Sequence, residues 1–281
     1  MTEQREKILQ SVAALKQLMP GKFDAAIAVY LEKDMELPED LKILKEVNYS
    51  DIPPQFTGSS KETNGKFIFG RCGKEDVIIL HGRYHFYNGI KMRDIGHVIY
   101  VLKYLGVKVL ISVDEAGFHN PRFKLGDLAL AYDHINLMGD NPLIGKNDDE
   151  LGVRFPDMSD DYNKECYNKV SALFLDRKIK INEAVYLGIP GPETETEAEA
   201  RFYTDIGADV TGYSLVPENI TAVHCGIKFL GISLLTRELI PDKMMEDTRS
   251  EKEMKKLRKE SHRTANTNLK NILKHIIKTL S

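Results

Sequence analysis

The sequence contains no tryptophan, only three cysteines and no long apolar run. Cys72, Cys166 and Cys225 are far apart and odd in number, which argues against a disulfide framework and against a metal site built on cysteine spacing. A membrane span needs about 18 consecutive apolar residues, and no segment approaches that length. The charged N-terminus is followed by no apolar signal region. We therefore expect a reduced, cytoplasmic protein with no membrane contact.

Charge of one sign is also missing. The chain has 39 Lys and Arg against 42 Asp and Glu, a formal net charge of −3. A balance this close provides no overall field to attract nucleic acid or an anionic membrane surface. The length of 281 residues is sufficient for one large domain with a substantial core.

Short apolar runs alternate with segments of helical spacing along most of the chain. This order predicts an α/β fold, a single domain spanning 1–281 in which a mixed central β-sheet is surrounded by α-helices. The predicted strands are 25–31, 66–70, 77–80, 107–113, 128–132, 184–189, 228–235 and a short one ending near 212. The predicted helices are 4–19, 91–105, 166–177 and 197–206.

The C-terminal part has a different composition. Residues 243–262 are almost entirely charged and polar, whereas the segment after them carries an apolar stripe. Lysine and glutamate alternate across 250–260, so the charge largely cancels and a solvated face is favoured over a binding patch. We predict a solvated helix start that leads into a C-terminal docking helix. The stripe consists of Leu269, Ile272, Leu273, Ile276 and Leu280.

Two segments carry candidate chemistry. In the first, 81–89, Arg83 and His85 are two residues apart and face the same side of an extended chain. Guanidinium and imidazole donors suit an oxyanion, although a satisfied polar loop is an equally good interpretation of these residues alone. In the second, 191–224, Glu195 and Ser214 lie beside glycines that permit close approach of a ligand.

Glu195 also has a purely structural interpretation. Thr194 and Glu197, and likewise Thr196 and Glu199, have the spacing of a capping box, and acidic residues favour a helix start. These residues alone do not distinguish Glu195 from its acidic neighbours.

Together these segments resemble the purine nucleoside phosphorylase family of the trimeric type. The pattern glycine, arginine, aromatic, histidine at 82–85, with Tyr87 and Gly89, matches it, as do 133–137 and 141–148. The resemblance implies phosphorolysis of purine nucleosides to free base and ribose 1-phosphate. It implies a homotrimer with phosphate as cosubstrate and no metal or organic cofactor.

The resemblance also implies a role for individual residues. Arg83, His85 and Ser214 correspond to phosphate ligands, and Glu195 to the carboxylate that reads a 6-oxopurine. The nucleoside-binding positions are Tyr87, Glu195, Tyr213 and Thr236, with Tyr87 donated across a subunit interface. The catalytic positions are Glu195, Arg237 and His85.

Four departures from the family pattern fall on chemistry. The first strand runs into 30–35 without the glycine and serine of a phosphate loop, and 59–64 lacks the usual Pro-Gly-His. Glu115 stands where an alanine offers its backbone N–H to phosphate. Arg237 replaces the asparagine that bonds the purine, and a salt bridge with Glu195 or Glu115 is expected. Thr194 replaces an aromatic wall.

Glu115 has the largest expected consequence. Two like charges about 4 Å apart interact with roughly 4 kcal/mol at an effective dielectric near 20, which corresponds to about three decades in phosphate affinity. An outward rotamer or a cationic neighbour would remove most of that penalty.

The sequence therefore leaves three functions open. The first is ordinary purine phosphorolysis. The second is a weak or inactive homologue that binds purines or nucleosides or serves a structural role. The third is an enzyme of altered specificity.

Overall fold

The computed structural model describes residues 1–54 and 65–281, so the predicted loop at 59–64 lies outside the described residues. Its elements follow the predicted alternation closely. The strands are Ile27–Leu31 (β1), Leu41–Asn48 (β2), Lys66–Cys72 (β3), Glu75–His81 (β4), Val109–Phe118 (β5), Leu128–Asn136 (β6), Glu183–Gly188 (β7), Val210–Gly212 (β8) and Lys228–Glu238 (β9). The helices are Glu3–Leu18 (α1), Met92–Ile95 (α2), His97–Tyr104 (α3), Lys164–Asp176 (α4), Glu197–Asp205 (α5), Leu215–His224 (α6), Pro241–Met245 (α7) and Glu251–Leu280 (α8).

The strands form one mixed sheet in the order β2-β3-β4-β1-β5-β8-β7-β6-β9. Strand β9 pairs with β6 and also with β5, so β5, β8, β7, β6 and β9 form a closed circuit of pairings. The predicted α/β fold with a mixed central sheet is confirmed. Strand β2 was not predicted. Five consecutive residues of this edge strand are exposed, so no buried apolar run marks it in the sequence.

Helices cover the two faces of the sheet and enclose separate apolar clusters. One cluster packs α1, α3 and α6 against the sheet, and the other packs α4 and α8 against the opposite face. The predicted apolar stripe lies on α8, where Leu269, Ile272, Leu273 and Ile276 are buried. Within the described residues, no helix is long and apolar enough to cross a membrane.

Strand register brings Glu32 and Arg83 together at the carboxyl ends of two parallel strands. Strands β1 and β4 are parallel neighbours with Leu31 opposite His81, so the residues that follow each strand emerge side by side. Strands β1 and β5 are also parallel, with Tyr30 opposite Ser112. The first residue after β1 is Glu32, and Arg83 follows β4 by two positions.

Candidate active site

Arg83 lies at the centre of a buried ion network. Its side chain has no exposed surface, and its Nε donates to the Glu218 carboxylate on α6 at 2.6 Å. Nη1 donates to the Glu32 carboxylate at 2.5 Å and to the Val113 carbonyl at 2.9 Å. Nη2 donates to the Ser112 hydroxyl at 2.9 Å, and the guanidinium lies 4.4 Å from the centre of the Tyr30 ring. Two carboxylates thus compensate one buried cation.

Glu32 also contacts His85. The second oxygen of its carboxylate lies 3.2 Å from His85 Nε2, while Ser214 Oγ lies 3.5 Å from His85 Nδ1. Burial by itself raises the pKa of Glu32, but the charges of Arg83 and His85 outweigh it and lower that pKa to about 2. The three residues predicted to bind phosphate, Arg83, His85 and Ser214, are therefore close together, and with Glu32 we call them the oxyanion corner. Glu32 is bonded to two of them.

The predicted nucleoside-binding residues continue from this corner. The His85 ring stacks on Tyr87 with centroids 4.6 Å apart, and Tyr87 meets Tyr213 edge-on at 5.7 Å. The Arg237 guanidinium lies 5.7 Å from the centre of the Tyr213 ring, within cation–π range. Arg83, joined to His85 through Glu32, thus lies at one end of a row of contacting side chains, and Arg237 lies at the other.

Glu195 is buried and held by a bidentate salt bridge. Arg237 Nη1 donates to one carboxylate oxygen at 2.5 Å and Nη2 to the other at 3.2 Å. Of the two partners expected for Arg237 from the sequence, the structure selects Glu195. The capping box forms at Thr196 and Glu199, so α5 begins after Glu195, which lies outside the helix.

A cavity of about 490 Å³ opens beside this salt bridge. That volume lies within the range of small-ligand pockets. Thr194, Glu195, Thr236 and Arg237 line it, together with residues from the first turns of α8. Thr194 occupies the position where the resemblance implies an aromatic wall.

Glu115 is compensated by cations from α8. His262 Nδ1 lies 2.6 Å from one carboxylate oxygen, and Arg258 and Thr236 donate to the other at 3.2 and 3.0 Å. Burial raises the pKa of Glu115, but the His262 hydrogen bond and the Arg258 charge lower it to about 2. Of the two ways of relieving its charge considered from the sequence, cationic neighbours are the one observed.

Asp34, Glu115 and His262 place their ligand atoms within 4.8 Å of one another. Such spacing would allow a cation to bridge them. However, Glu115 is already paired by His262 and Arg258, and exposed acidic groups such as Asp34 commonly occur without a metal. The expectation that no metal is involved stays a prediction.

The ion pair of His262 predicts a pH-dependent stability. The hydrogen bond with Glu115 raises the pKa of His262 despite partial burial, so the pair contributes fully below the ordinary histidine value of about 6.5. That contribution is lost as pH rises through the raised folded-state pKa. We expect the difference in melting temperature between the natural protein and His262→Gln to be larger near pH ~6 than near pH ~9.

His275, on the same helix, is the matched control. Burial and the nearby Arg177 lower its pKa, which gives the opposite sign of pH dependence. The melting-temperature difference between the natural protein and His275→Gln should therefore not decrease as pH rises. An equal melting-temperature difference for His262→Gln across this range would contradict the assignment.

Sequence reasoning missed two members of this site. Glu218 was not considered, and Glu32 was noted only as part of a stretch without glycine or serine. A carboxylate directly after a buried parallel strand was an available signal for Glu32. No local pattern marks Glu218, which lies within the apolar helix α6.

Comparison with known proteins supports the resemblance. Residues 35–278 match the family model of the Phosphorylase superfamily. Purine nucleoside phosphorylase 1 of Bacillus subtilis is 38% identical over 258 residues, which cover 87% of this chain and 93% of that protein. The mouse purine nucleoside phosphorylase is 38% identical over 73% of each chain.

Solved structures agree with this fold. A schistosoma purine nucleoside phosphorylase in complex with hypoxanthine superposes with a TM-score of 0.86, at 28% identity over 98% of both chains. Isoform 2 from Schistosoma mansoni, in complex with cytosine and ribose-1-phosphate, gives 0.86 at 29% identity over 98% and 97%. The chain therefore belongs to the phosphorylase superfamily, as a divergent member of the purine nucleoside phosphorylase family.

Proposed function

We propose that this protein binds a purine base or nucleoside in the cavity beside Glu195 and is weak or inactive in phosphorolysis. The observation that carries the proposal is the position of Glu32 against Arg83 and His85. In ordinary phosphorolysis these two residues would hold the attacking phosphate. Here both contact a carboxylate of the same chain.

The local charge supports weak phosphate binding. Arg83 contributes one positive charge, whereas Glu32 and Glu218 contribute two negative charges, so the trio sums to −1. Even a protonated His85 would bring the group only to zero. A neutral or negative corner lacks the electrostatic stabilisation that a bound phosphate and its transition state require.

The base side of the site is better suited to a ligand. A carboxylate has about four lone-pair positions, and the Arg237 salt bridge uses two. Glu195 can accept a further hydrogen bond from a ring N–H. The five N–H groups of Arg237 leave donors for a neighbouring carbonyl. An acceptor beside a donor matches the N–H and C=O edge of a 6-oxopurine.

A turnover assay tests the catalytic half of the proposal. The protein is incubated with inosine over a wide range of phosphate concentrations, and hypoxanthine release is followed. The Bacillus subtilis relative serves as the parallel control. We expect phosphate-dependent kcat/KM to lie about three decades below that of the control, the scale of one like-charge contact between phosphate and the net negative charge of Arg83, Glu32 and Glu218. A rate similar to the relative's would overturn the weak or inactive interpretation.

A binding assay tests the other half. We expect hypoxanthine or guanine, without phosphate, to raise the melting temperature, because a bound ligand adds RT ln(1 + [L]/Kd) to the free energy of unfolding. Uracil at the same concentration is the control. If no purine base or nucleoside stabilises the protein more than uracil does, purine binding is rejected and a structural role is favoured.

We also propose the homotrimer that the resemblance implies. Support comes from apolar side chains exposed between β6 and α4, namely Ile144 and Val153 at 63% and Phe155 at 86% exposure. Apolar surface of this kind is what a subunit interface would cover. A single-chain mass in light scattering would exclude this assembly.

A further inference from the structure

The sheet holds Glu32 firmly in the oxyanion corner. Glu32 follows directly on β1, whose five residues are all buried. The register of β1 with β4 is continued by a hydrogen bond from Gly82 N–H to the Leu31 carbonyl at 3.0 Å. The backbone on both sides of the Glu32–Arg83 ion pair is therefore fixed by the sheet.

Arg83 has no donor in reserve. Its Nε is used by Glu218, and its two Nη atoms donate to Glu32, Glu218, Ser112 and backbone carbonyls. Its side chain has no exposed surface, whereas the Glu32 side chain is 17% exposed. Solvent reaches this corner on the Glu32 side. An external anion could therefore reach the guanidinium only by displacing the Glu32 carboxylate.

We propose that Glu32 is an intramolecular anion that occupies a latent oxyanion site formed by Arg83, His85 and Ser214. The proposal rests on the proposed function, since it takes this corner as the phosphate side of the site. A tethered carboxylate competes with free phosphate at a high effective concentration. Removal of that carboxylate would leave a cation, an imidazole and a hydroxyl facing one space, donors suited to a tetrahedral oxyanion.

The test is phosphate binding by Glu32→Ser, which removes the carboxylate and opens space beside Arg83. Inorganic phosphate is titrated by calorimetry at constant ionic strength, in the absence of purine. We expect the affinity for phosphate to increase at least about tenfold over the natural protein, the scale of one charge-assisted hydrogen bond. Glu39→Ser is the matched control. Glu39 lies in the same connection between β1 and β2, and its exposed carboxylate pairs with Lys274. This variant should leave phosphate affinity unchanged.

Two further variants locate the new site. His85→Ala in the Glu32→Ser background should abolish the gain, and persistence of the gain would place the anion elsewhere and overturn the proposal. Glu32→Gln keeps the side-chain shape, so it replaces Glu32→Ser if that variant fails to fold. Melting curves identify folded variants.

Unchanged phosphate affinity in a folded Glu32 variant would overturn the proposal, as would tight phosphate binding by the natural protein. Because purine binding is measured separately without phosphate, failure here is distinguishable from failure of the proposed function. A gain in the Glu32 variant together with no purine binding would uphold the latent site and reject the purine pocket.

Discussion

Arg83→Met is expected to reduce the free energy of unfolding by about 3–5 kcal/mol. The substitution removes the cation that compensates the Glu218 carboxylate, which is fully buried on α6. An uncompensated buried carboxylate must either remain charged at a high desolvation cost or take up a proton. Urea unfolding followed by circular dichroism measures the loss. Unfolding should remain a single transition, since α6 packs against the sheet in the same apolar cluster as α1 and α3.

The control for this prediction is Arg71→Met. Arg71 forms a 2.7 Å ion pair with Asp76 at the exposed end of the β3–β4 hairpin, so the same chemical change should leave stability close to that of the natural protein. The double variant Arg83→Met with Glu218→Met should recover part of the loss, because buried ion pairs replaced by apolar groups are often neutral. If Arg83→Met were no more destabilising than Arg71→Met, the buried network would have no structural role.

Glu195→Gln is expected to weaken purine binding by about 10- to 100-fold. A hydrogen bond to a charged group contributes about 1.5–3 kcal/mol, and each 1.4 kcal/mol is a factor of ten. The amide keeps the shape of the carboxylate but loses its charge and its salt bridge with Arg237. Calorimetric titration with hypoxanthine, or with the purine that binds best, measures the change.

Glu193→Gln is the control. Glu193 is exposed and precedes Glu195 by two residues, and its replacement alters the net charge by the same amount. This variant should bind purine like the natural protein. Equal affinities for Glu195→Gln and Glu193→Gln would mean that Glu195 only anchors Arg237 and does not contact the ligand.

Much of the fold followed from local pattern. Strand β1 is a short apolar run and α5 begins at a capping box, and both features are written in consecutive residues. Strand β2 was missed because it lies at the sheet edge with little burial. The C-terminal extension of β5 to Phe118 was missed because polar residues such as Asp114 and Glu115 resemble a loop, although pairing with β9 keeps them in the strand.

The family resemblance groups Arg83, His85, Ser214, Glu195 and Arg237, and the structure connects them through Glu32, Tyr87 and Tyr213. Their chemical roles stay predictions. What the resemblance left out is the partners of Arg83. Glu32 precedes Arg83 by 51 positions and Glu218 follows it by 135, separations at which no helical or strand periodicity operates.

The sequence by itself determined the alternation of strands and helices, the family, and the residue types available for chemistry. Those properties depend on neighbours within a few positions or on motifs of fixed spacing. Only the tertiary structure decided that Glu32 meets Arg83, that Arg237 pairs with Glu195, and that α8 supplies cations to Glu115. Ion pairing of this kind depends on strand register and burial, since a few ångströms and the loss of water determine which opposite charges bind each other.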